Sequence, residues 1–432
     1  MKTYDVIIIG GGHNGLVASI YLAMKGLKTL VVEERKKLGG MADTAEYKGV
    51  KYSRASYVLG LFPRRIQDEI GVEFPVIESD YIEVFVTESK KVVKVWRDRD
   101  KRIQEFEKLG EKKYSKLDEF ILSSRKLLEE KFTYVITPPS IEEIKQSNEM
   151  LLEKTETILR EYLDNYKELY PIFSYDFMLS QPSYLFVYFF STDWKILKGG
   201  MGTVGEVLSK RAKELGVDII TGSKVSEIAI KNGEVRGVIL QGGERIESKN
   251  VLFTGNPLLL ENLTNGEVKV DVHSPPAGYG RYNIILKDMV KINDPLKIDY
   301  FKGLIVLPQG EITIPSVVDE TLNGHVITVM GTMEGLEEFF PDIKEKTEYV
   351  DKVNWRVVEK EYDNPYGNPN HLPMYSSYLF DNRPKKGWGY RTPIKGLYIG
   401  GSGAYPGGQV TGIPGRNAAM TIIYDMTKNN KY

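Results

Sequence analysis

Six residues near the start of the chain limit what it can fold into. Gly10-Gly11-Gly12-His13-Asn14-Gly15 directly follows the apolar run Val6-Ile7-Ile8-Ile9 and opens a segment with Leu16, Ile20, Ala23 and Met24 at helical spacing. A second apolar run, residues 28–33, comes next. Strand, glycine turn, helix and strand in that order are the parts of a parallel strand-helix-strand unit, so the fold class is α/β. Gly10 lets the chain turn tightly, Gly12 admits a pyrophosphate with no Cβ in its way, and Gly15 lets the helix lie close on the strand. His13 and Asn14 belong to the same turn, where free N–H groups and a helix N-terminus favour phosphate. Glu33, ending the second strand, can accept both ribose hydroxyls of an adenosine and repels a 2′-phosphate, which disfavours NADP. The motif alone leaves NAD and FAD as equal alternatives.

Gly200-Met201-Gly202-Thr203-Val204-Gly205 repeats the spacing, but residues 191–198 before it lack the pattern of a buried strand. It reads as a tight loop opening a helix, so one dinucleotide site is expected. Cysteine is absent, which removes disulfides, thiolate metal sites, iron–sulfur clusters and redox-active cysteine pairs. His13, His273, His325 and His371 show no metal-ligand spacing, and no metal is expected. The net charge of -1, with acids and bases intermixed, argues against a nucleic-acid partner. No window approaches the roughly 18 to 20 apolar residues of a membrane span. The start lacks the pattern of a secretory signal, so a cytoplasmic protein is expected, with peripheral membrane contact left open.

Further along, residues 104–170 carry two helical apolar stripes, and residues 184–190 form a short aromatic run suited to a core element or a cavity wall. Asn232-Gly233 and Gly242-Gly243 punctuate three short strands. Residues 268–335 look strand-rich and 336–362 helical, and the tail returns to strand (397–400), glycine loop and helix. The two chain ends share a style, which suggests one domain built from both with another inserted between.

Beyond Glu33 the chain continues Glu34-Arg35-Lys36-Lys37-Leu38-Gly39-Gly40-Met41, followed by Tyr52-Ser53-Arg54-Ala55-Ser56-Tyr57, Gly199-Gly200-Met201-Gly202, and a tail from Leu397 through Gly401-Ser402 and Gly407-Gly408-Gln409-Val410 to Ala419. These motifs resemble the amine oxidase and phytoene desaturase superfamily of FAD-dependent oxidoreductases, most of all the phytoene desaturase-related branch named pyridine nucleotide-disulfide oxidoreductase domain-containing protein 2. The resemblance implies FAD. It implies a Rossmann-type FAD-binding domain of the glutathione reductase or amine oxidase kind, drawn from residues 1–50, 198–262 and 392–432. An interleaved α+β substrate domain takes 51–197 and 263–391. It implies ribose on Glu33 with Glu34 and Arg35 beside it, pyrophosphate along Gly39, Gly40 and Met41, and adenine against the backbone of Val225. Gly401, Ser402, Gly408, Gln409 and Val410 become flavin-side residues; Ser402 stands where many members carry an acid.

In such enzymes hydride moves between a substrate carbon and flavin N5, and the protein supplies alignment and charge tuning. Where a proton must also move, the candidates are Arg54, Tyr57 and His371, with Tyr375 and Arg383 nearby in sequence to the last. A histidine titrates usefully near neutral pH, though one before Leu-Pro can equally be structural, and Arg54 can equally anchor a carboxylate. Aromatics crowd the insert, among them Tyr184, Phe186, Tyr188, Phe189 and Phe190, and could line a tunnel for an apolar substrate such as an isoprenoid or lipid. The expected function is hydride exchange with such a substrate; a flavin amine or alcohol oxidase and a non-catalytic FAD-holding scaffold are the alternatives. The electron acceptor and oligomeric state are left open.

Overall fold

The computed structural model describes residues 3–189, 193–278 and 280–429; Phe190 and the start of the 191–198 stretch lie outside the described residues. The first strand, Val6–Ile9, is buried along its whole length. It stands at the centre of a five-stranded sheet ordered Leu397–Ile399, Val251–Phe253, Val6–Ile9, Thr29–Val32, Asp218–Ile220, with every pair parallel. Parallel strands need cover on both faces, and this is why they read as unbroken apolar runs rather than alternating ones. The helices His13–Met24, Thr203–Glu214 and Ile413–Asn429 supply part of that cover. The first and last cross tightly: a Cβ on Gly415 would lie 2.0 Å from the Asn14 carbonyl oxygen.

After the parallel strand Asp218–Ile220 the chain forms an antiparallel three-stranded sheet, Val225–Lys231, Glu234–Leu240 and Arg245–Glu247. Its first turn puts Asn232 and Gly233 at φ of 57° and 72°, the left-handed pair that a two-residue hairpin needs. Helices dominate between residues 99 and 189. Arg99–Lys108 is capped by Asp98, and Ile141–Ser147 by a reciprocal Ser140–Glu143 box.

A seven-stranded mixed sheet forms the other half of the molecule, in the order Thr347–Asn354, Gly280–Leu286, His325–Gly331, Gly310–Thr313, Leu304–Leu307, Tyr81–Val86, Val92–Trp96. Alternation divides its faces. One carries Val84, Ile284, Ile312, Ile327 and Val329 into an apolar core with Phe301 and Phe340. The other carries Glu83, Arg281, Asn283, Glu311, Thr313 and Thr328, and points into the molecule. The expected helix over 336–362 is corrected here. Only two short helical turns, Leu336–Glu338 and Ile343–Lys346, precede the strand Thr347–Asn354, and helix returns at Trp355–Tyr362. Its Glu and Lys residues favour helix locally, but pairing along the full length of Gly280–Leu286 decides the outcome. Among the described residues no helix is long and apolar enough to cross a membrane.

Candidate active site

A cavity of about 590 Å³ opens at the carboxyl ends of the parallel strands, the place where open α/β sheets take nucleotides. Gly10, Gly12, His13 and Asn14 line it from the first turn, and Glu33, Glu34, Arg35, Gly40 and Met41 from the second strand and its loop. Val225, His371 and Ser402 line it as well.

The glycines separate protein packing from ligand space. Gly10 has φ of 106°, and a Cβ on Gly15 would sit 2.0 Å from the Gly10 carbonyl oxygen, so both are demanded by the protein itself. Gly12 is different. Its φ of -69° suits any residue, and a Cβ there would meet nothing nearer than 3.7 Å. A glycine that the protein does not need, at a helix start facing a cavity, fits a phosphate that must approach the backbone closely.

The Glu33 carboxylate accepts from Gly11 N at 2.6 Å and Arg35 N at 2.8 Å, which aims it into the cavity with lone pairs to spare. Arg35 is tied to the Gly40 carbonyl at 3.1 Å and to Asp43 at 2.6 Å, and lies 4.4 Å over the Tyr362 ring. It therefore braces the glycine-pair loop. Both ring nitrogens of buried His13 and Nδ1 of His371 lack a hydrogen-bond partner, although the backbone of Gly39 and Gln409 lies near the His13 ring. Leaving such buried groups unsatisfied costs about 1–3 kcal/mol each, and a polar ligand in the cavity removes that cost. Together these features fit a dinucleotide.

Several sequence candidates lie beside the cavity or behind its lining. Gly15, Gly39, Gly401, Gly408, Gln409 and Val410 do not line this cavity. Gly39 passes close to Gly205, and Gly401 meets the Thr254 carbonyl, so close packing accounts for both. The second glycine motif likewise packs on the first loop: a Cβ on Gly205 would lie 2.6 Å from Leu38 O.

Among the proton-moving candidates, Arg54 donates from Nε to Asp351 at 2.8 Å and from its terminal nitrogens to Glu361. Glu361 foremost, with Asp351, holds the guanidinium above its ordinary value, so Arg54 is a permanently charged clamp rather than a proton carrier. His371 lines the cavity, but burial, with Arg383 and His13 adding, pushes its pKa down to about 3. The expectation that it titrates near neutrality fails; it is a neutral imidazole. Arg383 is fully buried and donates to the carbonyls of Asn370 at 2.6 Å, Ser402 at 2.8 Å and Pro373 at 2.9 Å, a structural role. Tyr375 lies at the surface. Tyr57 places its hydroxyl on the Glu311 carboxylate, 3.7 Å from the Met330 sulfur, with the Arg281 guanidinium 4.2 Å over its ring.

Sequence reasoning passes over Thr254, whose hydroxyl bridges the Ile9 and Gly10 carbonyls at 3.0 Å each, and Asn256, which donates to Asn364 and to the His371 carbonyl at 2.9 Å each. It also passes over Glu311. The alternation Glu311-Ile312-Thr313 signals two polar residues on one strand face, but not that this face turns inward.

Residues 5–359 match the family described as FAD dependent oxidoreductase. Pyridine nucleotide-disulfide oxidoreductase domain-containing protein 2 of Rattus norvegicus is 25% identical, covering 98% of this chain and 94% of its own. A limonene dehydrogenase component from Castellaniella defragrans is 21% identical over 99% of this chain and 96% of its own. Among solved structures, cyclohexylamine oxidase from Brevibacterium oxydans shares the fold with a TM-score of 0.60 at 15% identity, covering 98% of this chain and 100% of that one. The match over most of its length, and a cavity built for a dinucleotide, place this chain in the FAD dependent oxidoreductase family, with FAD as its cofactor.

Proposed function

We propose that this protein exchanges hydride with an organic substrate whose body is apolar, an isoprenoid or similar lipid-like molecule, in the manner of phytoene desaturases. The observation that carries the reading is the helix Tyr184–Phe189, an aromatic wall laid against the tail glycine loop. The Tyr188 hydroxyl donates to the Gly407 carbonyl at 3.1 Å, and the Phe189 ring comes within 3.2 Å of where a Cβ on Gly408 would lie. Residues 184–187 are buried, whereas Tyr188 and Phe189 keep accessible surface. Such a wall excludes water and aligns an apolar chain by contact.

Bound FAD supplies a two-electron acceptor at flavin N5. In a desaturation one carbon would give up a hydrogen with its electron pair as hydride to the flavin, the neighbouring carbon would release a proton to solvent, and a double bond would form between them. The chain's contribution is to hold the carbon skeleton still and dry. The named activity of the Castellaniella relative, a dehydrogenase of limonene, supports an isoprenoid substrate. On this reading the protein works in the cytoplasm and passes electrons to an acceptor outside this chain. A second reading, an oxidase of amines or alcohols, is favoured by Glu311, an acid on the inward sheet face that receives the Tyr57 hydroxyl.

The test is anaerobic mixing of the yellow holoprotein with limonene and with longer isoprenoids, following the flavin band at about 450 nm. Bleaching by an isoprenoid is expected. Bleaching only by amines or alcohols, with recovery in air and release of peroxide, overturns the reading in favour of the second.

A further inference from the structure

We propose that Tyr362, Asp363 and Asn364 form a clasp across the FAD cavity, and that the cofactor enters and leaves only when this clasp opens from its Lys224 edge. The inference concerns how the cofactor is retained and stands whichever substrate the protein works on.

The clasp belongs to the second half of the molecule. The strand Thr347–Asn354 pairs with Gly280–Leu286 in the seven-stranded sheet and runs into the helix Trp355–Tyr362, whose last residue and the two after it line the FAD cavity. Each of the three is tied to a different loop of the parallel sheet. The Tyr362 hydroxyl donates to Asp43 at 3.0 Å while the Arg35 guanidinium lies over its ring, which fixes it to the loop after Thr29–Val32. Asp363 accepts from Lys224 Nζ at 3.1 Å, in the turn after Asp218–Ile220, and the same ammonium donates to both carboxylate oxygens of Glu34, at 3.1 and 3.0 Å. Asn364 Oδ1 accepts from Asn256 Nδ2 at 2.9 Å, in the segment after Val251–Phe253.

The strand order places these ties. Thr29–Val32 and Asp218–Ile220 lie on one side of the central strand Val6–Ile9, and Val251–Phe253 on the other. A segment anchored on both sides of that strand spans the cavity at its carboxyl end, where the glycine turn offers N–H groups to phosphate. Glu34, Arg35 and Lys224, which receive two of the three ties, are themselves part of the cavity wall, next to Glu33.

The backbone is bent to this course at a cost. Asp363 and Tyr366 take left-handed φ of 47° and 60°, and a Cβ on Gly367 would lie 2.5 Å from Trp355 Cα, so the chain doubles back tightly on the start of its own helix. Such strain persists where the surroundings over-determine it, and it gathers at ligand clamps.

Exposure decides which end opens. Asn364 is 2% exposed and also donates to the Asn368 carbonyl at 2.7 Å. The side chains of Lys224, Glu34 and Asp363 are 39%, 44% and 48% exposed. Ion pairs in contact with water are weak and are screened by salt, whereas a buried amide pair parts only at a larger cost. The clasp is anchored at Asn364 and loose at Lys224.

The experiment is the rate at which FAD leaves the holoprotein at neutral pH, read from the flavin absorbance left on the protein after gel filtration at intervals. Lys224→Ala is expected to speed release about threefold, and salt at about 1 M to speed it by a similar factor in the parent but not in Lys224→Ala. Asp363→Asn leaves Lys224 in the cavity wall and is expected to match Lys224→Ala. Tyr362→Phe keeps the ring on Arg35, loses only the bond to Asp43, and is expected to speed release about threefold with the spectrum of the retained flavin unchanged. Release at the parent's rate in Lys224→Ala or in Tyr362→Phe, or an equal salt effect in the parent and Lys224→Ala, overturns the proposal. Parent-like release in Asp363→Asn alone also overturns it, by assigning Lys224 to direct contact with FAD. A protein that bleaches with isoprenoids yet releases FAD at one rate in every variant refutes the clasp and leaves the hydride reading standing.

Discussion

The two large sheets solve opposite problems. The five-stranded parallel sheet is buried and apolar along its central strand and presents its ligand with backbone, through glycine turns, free N–H groups and a helix N-terminus at the carboxyl ends of its strands. The seven-stranded sheet presents side chains, and does so from a polar face enclosed by other segments. A cofactor shared by a whole family needs only the first kind of surface. Choosing one substrate among many needs the second, because only side chains carry charge and shape that differ from one protein to the next.

The sharpest break of this comparison is at the glycines. Gly15→Ala puts a Cβ 2.0 Å from Gly10 O, inside the protein itself, and is expected to cost about 3 kcal/mol or more, on the order of the worst overpacking, leaving little soluble protein. Gly12→Ala, with no atom nearer than 3.7 Å, is expected to fold normally but to lose at least about tenfold in FAD affinity, read from flavin absorbance after gel filtration. Full FAD retention in Gly12→Ala would break the distinction between packing glycines and ligand glycines.

Next in size is the joint between the two halves. The Arg54 side chain is 16% exposed and its partner Asp351 9%, while Glu361 is 40% exposed and its share is screened by solvent. Arg54→Ala is expected to cost about 2–3 kcal/mol in urea unfolding, chiefly by leaving Asp351 buried without its counter-charge, with FAD content kept. Loss of catalysis without loss of stability would return Arg54 to the reacting atoms.

The smallest effect sharpens the account of the polar face. A Glu83 carboxyl raised from 4.5 to about 8 keeps its proton in the folded state over the range where the unfolded chain has lost it. Its contribution to stability is therefore full below pH 4.5 and falls as pH rises to about 8. Glu83→Gln removes that loss, so its melting temperature should exceed the parent's by about 2–4 °C at about pH 9 and match it at about pH 4 to 5. An equal difference at both pH values contradicts an uncompensated carboxyl at this position.

Much of the cofactor side is legible in the sequence. The strand-turn-helix of residues 6–24, the acid at Glu33, the Asn232-Gly233 turn and the tail helix all depend on interactions within a few residues, where side-chain spacing and glycine conformation speak directly. Residues 347–354 read as helix because their charged composition answers to local propensity, while their strand state answers to a partner strand far earlier in the chain. His371 departs from expectation for a related reason: its type suggests a neutral-range proton carrier, but its pKa belongs to its burial and to the Arg383 guanidinium near it.

By itself, then, the sequence determined the α/β class, the nucleotide turn and the membership in a FAD-using family, because each is written in contiguous residues whose backbone does the binding. Only the tertiary structure decided that Arg54 is a clamp, that His371 stays neutral, and that Glu83, Glu311 and Thr313 face inward. Those outcomes depend on which distant segment covers a given face, and burial, not residue type, decides whether a polar group is solvated, paired or held ready for a ligand.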